Sequence, residues 1–113
     1  MPNSVDLDKI SEFVEEWWDK SVMPSLCEFV EIPALSPSFD SNWEANGYLD
    51  AAINTFIAWT RSLPLKGLSL SVHKLKNRSP LLLVKIDGDA DGEVLFYSHL
   101  DKQPEASGWS EGK

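Results

Sequence analysis

Between Leu7 and Ile32 the apolar residues Ile10, Phe13, Val14, Trp17, Trp18, Val22, Leu26, Phe29 and Val30 recur at spacings of three and four. That period is the signature of an amphipathic helix, and Asp6 or Ser4 stands where an N-cap is expected. Pro24 falls inside it and predicts a kink or restart, because proline lacks an amide hydrogen and its ring meets the preceding turn. Pro33 closes the helix, and Ala34–Trp43 reads as a Ser- and Pro-rich loop with Phe39 and Trp43 as anchors. A second helix is predicted from about Glu44 to Ser62, with Leu49, Ala52, Ile53, Phe56, Ile57 and Trp59 on its apolar face and Pro64 and Gly67 at its end.

The period then switches to two. Leu68-Ser-Leu-Ser-Val72 alternates as a half-buried strand does, and places His73 on the polar face. Asn77-Arg-Ser-Pro80 makes a hairpin-like connection to Leu81–Ile86. The acidic run Asp87–Gly92 reads as a turn: it lacks the twelfth-position glutamate of a calcium loop. Glu93–Tyr97 follows as a third strand, so strands are expected over about 68–75, 81–87 and 93–98. The apolar run Val94–Tyr97 suits a strand covered on both faces. The predicted fold class is α/β: two N-terminal helices followed by strands of a mixed sheet.

Composition narrows the function classes. A chain of 113 residues is one domain at most, and 42% hydrophobic residues exclude a disordered chain. A net charge of −8 argues against a nucleic-acid partner, which needs clustered Lys and Arg. No apolar run approaches the roughly 20 residues that cross a bilayer, so no membrane partner is expected. Met1–Asp6 shows no basic segment followed by an apolar core, hence no secretory signal. Cys27, the single cysteine, lies in the helical pattern and is expected as a small core residue in a reducing, cytoplasmic protein. Trp17 and Trp18 read as core or domain-interface residues, since aromatic rings on a helical stripe bury much area.

The chemistry concentrates at the end of the third predicted strand. His99 and Asp101 stand two residues apart where the chain turns polar, and Pro104 prevents the strand from running on. Ligands in open α/β sheets sit at the carboxyl ends of strands. A neutral imidazole is a good zinc ligand, and a neighbouring carboxylate fixes its tautomer.

Tyr97-Ser-His-Leu-Asp-Lys-Gln-Pro104, with Gly108-Trp109 after it, resembles the first metal motif of the aminoacylase/carboxypeptidase/carnosinase family of dinuclear zinc metallopeptidases. In that family a strand runs into Gly-His-x-Asp-x-x-Pro, and Ser98 stands here where glycine is usual. Phe29-Val-Glu-Ile-Pro33, with Ser36-Pro37 beyond it, is similar to the family's early helix ending. The resemblance implies a zinc-dependent hydrolase acting on the amide bond of a small peptide or N-acyl amino acid. It assigns His99 as a metal ligand and Asp101 as the catalytic-site carboxylate that orients it. It also implies that the bridging aspartate, the general-base glutamate, the other metal ligands and a second domain lie beyond Lys113. Residues 1–113 would then be the N-terminal part of a catalytic domain, inactive alone and binding zinc weakly. The competing expectations are a non-catalytic interaction domain, self-associating through an exposed sheet edge, and a fragment without function.

Overall fold

The computed structural model describes residues 4–112. They fall into two compact units, one ending at Glu31 and the other beginning at Ile32.

The first unit is helical: α1 (Leu7–Trp17), a π-helical turn (Trp18–Val22) and α2 (Met23–Glu31). Asp6 is the N-cap, its carboxylate accepting from the Lys9 amide at 3.2 Å. The expected disturbance at Pro24 takes the form of a widened turn. The Met23 amide donates to the Trp18 carbonyl, five residues back. An α-helical turn would drive the proline ring toward the Lys20 carbonyl, and widening the ladder ahead of it relieves that approach. Phe13 and Trp17, one turn apart, set their rings at 5.6 Å. No residue of α1 or α2 is buried. One expectation is corrected here: Cys27 is exposed, not a core residue; Trp18 is exposed as well, so of its two alternatives the core one does not hold. A single amphipathic helix has no second layer within its own unit to bury a stripe against.

The second unit holds α3 (Trp43–Asn46), α4 (Tyr48–Ser62), β1 (Leu68–His73) and β2 (Leu81–Ile86). The predicted second helix is divided by Gly47, whose φ of +68° ends α3 in the left-handed region and begins α4. Leu49, Ala52 and Ile53 are buried on the expected face, together with Ala34 from the loop. Thr60 is buried too, and its hydroxyl is satisfied by donating to the Phe56 carbonyl at 2.8 Å. Trp43 is half-buried, but Phe39 is exposed and anchors nothing.

β1 and β2 pair antiparallel, from Leu68 opposite Ile86 to His73 opposite Leu81. The connection forms as expected, with Asn77 at a positive φ of 60°. His73 is exposed, and its ring meets the Ser71 hydroxyl on the same strand face at 3.0 Å. At the open end of the hairpin the Asp87 amide donates to the Gly67 carbonyl at 3.1 Å. Lys74 reaches back to Asp50 on α4 at 2.8 Å.

The order of helices followed by strands is therefore an α/β one, and the sheet formed by the described residues is a two-stranded antiparallel hairpin. The expected third strand does not join it. Residues 93–98 lie in no ladder, and Val94 to Tyr97, predicted to alternate into a core, are exposed throughout. A strand of continuous apolar residues needs neighbours on both edges and layers on both faces, and the described residues supply neither to this segment.

Candidate functional site

His99 and Asp101 come together as the motif anticipates, although without a strand leading into them. Asp101 is placed by its neighbour. Lys102 makes an isolated parallel bridge with Leu35: its amide donates to the Ala34 carbonyl at 2.9 Å, and its carbonyl accepts from the Ser36 amide at 2.8 Å. The Lys102 ammonium donates to the Ile32 carbonyl, and burial pushes its pKa down. The segment after Pro33 thus clips the motif by its backbone. Neither the periodicity nor the motif singled out this clip; the only sequence sign of it is Pro33, which favours an extended chain on either side of it.

From that fixed point the His99 ring folds back over Asp101. Its Nδ1 lies 2.8 Å from the Asp101 backbone carbonyl oxygen and 3.0 Å from the carboxylate Oδ1. A carbonyl oxygen can only accept, so Nδ1 must carry the hydrogen. The neutral ring is then the Nδ1–H tautomer, and the lone pair belongs to Nε2, which has no partner among the described residues. The imidazole is 70% exposed and the Asp101 side chain 30%, so Nε2 is accessible. The Asp101 carbonyl, then its carboxylate, favour the protonated ring and raise the His99 pKa above the usual imidazole value.

The donor set fits one metal ligand. Among the described residues no group of three or more His, Cys, Asp or Glu side chains converges as a metal site would need. Trp109, also part of the motif, is exposed, with its indole N–H donating to the Ala106 carbonyl at 2.8 Å. A shallow cavity of about 350 Å³ lies elsewhere, between the start of α4 and the hairpin loop; Trp43, Lys74, Lys76 and Arg78 line it, and His99 and Asp101 do not.

No protein-family model matches the chain, and no curated protein matches it either.

Proposed function

We propose that His99 is a zinc ligand held in place by Asp101, in a hydrolase that cleaves the amide bond of a small peptide or N-acyl amino acid. The observation that carries this reading is the Nδ1–H donation to Asp101, which leaves Nε2 as the exposed lone pair. Metal-bound histidines are oriented in this way, by a carbonyl or carboxylate on the nitrogen that does not bind the metal. The motif Tyr97–Pro104 points to the same chemistry by its resemblance to the zinc metallopeptidases. Zinc, when bound, lowers the pKa of its water and polarises the scissile carbonyl. Asp101 turns its carboxylate to His99, a positioning role that leaves proton transfer to some other group.

A catalytic zinc takes about three protein ligands. No group of three or more His, Cys, Asp or Glu side chains converges among the described residues; by the resemblance to the zinc metallopeptidases, residues 1–113 alone are expected to bind zinc weakly and to lack turnover. The remaining ligands and the base are supplied by polypeptide outside residues 1–113. No helix among the described residues is long and apolar enough to cross a membrane, and the substrate expected is a small molecule rather than a nucleic acid or a lipid surface.

The test is a zinc titration of residues 1–113 followed by nitrogen NMR of the imidazoles. Zinc should move the His99 Nε2 resonance and leave Nδ1 protonated, and His99→Ala should abolish the response. Coordination through Nδ1, or zinc binding that survives His99→Ala unchanged, would sink the assignment.

A further inference from the structure

The cavity of about 350 Å³ between the start of α4 and the hairpin loop takes no part in the His99 site. Sites for small molecules span roughly 300–1,000 Å³, and this one falls at the low end. Its charge runs against that of the chain. The net charge is −8, yet three of the ten Lys and Arg, namely Lys74, Lys76 and Arg78, line this one cavity. A tight turn gathers them: the Arg78 amide donates to the Leu75 carbonyl at 3.2 Å, and Asn77 takes the positive φ of 60°. Lys76 and Arg78 thereby share a rim, opposite an apolar wall that includes the half-buried Trp43 and the buried Leu49. We propose that this cavity binds a monovalent organic anion, a small aromatic carboxylic acid, with its carboxylate on Arg78 and Lys76 and its ring against Trp43.

The charge balance of the lining selects that class. Lys74 is neutralised by Asp50 at 2.8 Å. Among the described residues Lys76 and Arg78 form no ion pair, and neither does Glu44, the other carboxylate of the lining. Two uncommitted cations against one uncommitted carboxylate leave a single excess positive charge. One negative charge on the ligand meets that excess. A polyphosphate brings more, which Glu44 and Asp50 oppose, and a neutral ligand gains nothing from either cation. The planar guanidinium fork of Arg78 matches a carboxylate in two parallel hydrogen bonds. An aromatic body suits Trp43, because rings gain by stacking beyond the area they bury. This site is independent of the zinc reading.

Amide NMR of residues 1–113, titrated with 3-phenylpropionate and separately with its uncharged amide, tests the proposal. The acid should shift the Gly47, Leu49 and Arg78 amides in a saturable way, and the uncharged analogue should not. Arg78→Gln should weaken binding by about 10-fold, the scale of a lost charge-assisted hydrogen bond. The far-ultraviolet spectrum should be unchanged, because the Arg78 side chain is exposed and holds no other element in place. Glu44→Gln should act in the opposite direction and tighten binding by about 2–5-fold, since it removes a like charge from the rim. A cavity with only a structural role would give no such pair of opposite responses. Absence of saturable shifts, equal binding of acid and amide, or a Glu44→Gln variant that binds no better would each overturn the proposal. Tighter binding of adenosine diphosphate than of 3-phenylpropionate would overturn the monovalent class.

Discussion

The His99 ring is held by its own near neighbour: Nδ1 donates to the Asp101 backbone carbonyl at 2.8 Å, with the Asp101 carboxylate at 3.0 Å. Two acceptors of one residue thereby set the tautomer, and the backbone acceptor survives any substitution of the side chain.

That division makes a titration informative. The His99 pKa lies above the usual imidazole value, with the carbonyl as the first cause and the carboxylate as the second. In Asp101→Asn the pKa should fall part of the way back, because the carbonyl contact remains. The ring resonances followed against pH give the answer; a return to an unshifted imidazole would mean that the carbonyl contact is not made in solution. The associated stability is present below the unfolded-state imidazole pKa and is lost as pH rises through the folded one.

Zinc and the proton compete for the same ring. Zinc needs Nε2 unprotonated, so the affinity of residues 1–113 for zinc should rise with pH and level off only above the raised His99 pKa. Calorimetric titrations at several pH values test this, and a pH-independent affinity would contradict it. Asp101→Ala should weaken zinc binding by about 10-fold at most, the low end of the scale seen when an orienting partner is lost, because the backbone carbonyl still holds Nδ1.

Gly67→Ala should destabilise the second unit. Gly67 has a φ of +70°, and a Cβ there would stand 3.1 Å from the Asp87 Cβ. The left-handed conformation alone costs an alanine roughly 1–2 kcal/mol, and the contact adds to it. Urea unfolding would show the loss, with the hairpin ends at Leu68 and Ile86 exchanging their amides first.

Ile53→Ala removes one of the few buried side chains of the described residues. Large-to-small changes of this kind cost about 2–5 kcal/mol. The lower end is expected, since a small core can collapse around the vacancy. Thermal unfolding measures it, and a neutral result would mean that Ile53 is not packed in solution.

The helices and the hairpin were legible because each is specified locally. The spacing of three and four marks both helical segments, and the alternation of Leu68, Leu70 and Val72 with Ser69 and Ser71 marks β1. The His99–Asp101 contact was legible for the same reason, its partners being two residues apart. What the periodicity could not supply was the environment. Val94 to Tyr97 have the composition of a covered strand, but cover is a property of other segments, and the described residues provide none. Cys27 shows the same limit, since its position on an apolar stripe says nothing of what packs there. The break at Gly47 was open to inspection as a glycine inside a helical pattern. The clip between Leu35 and Lys102 was not, because its bridge is made by backbone groups distant in sequence.

The π-helical turn ahead of Pro24 has a consequence for how the long helix tolerates change. Trp17 and Val22 are five residues apart and both are half-buried, as are Ser21, Ser25 and Phe29. One widened turn is equivalent to a single inserted residue, so α1 and α2 keep a common phase only because the insertion is absorbed between them. Deleting one residue within Trp18–Val22 should keep the two faces in phase but bring the Pro24 ring back against the carbonyl four residues before it, so a kink is expected there. Deleting one within Leu7–Trp17 should instead turn the residues before the deletion by about 100° relative to the rest, separating Ile10 and Phe13 from the stripe they share with Phe29. Two deletions of equal length in one helix would thus fail differently, one by strain at Pro24 and the other by loss of phase, and the turn that looks like a defect is what lets a proline sit in the helix while its two halves share a face.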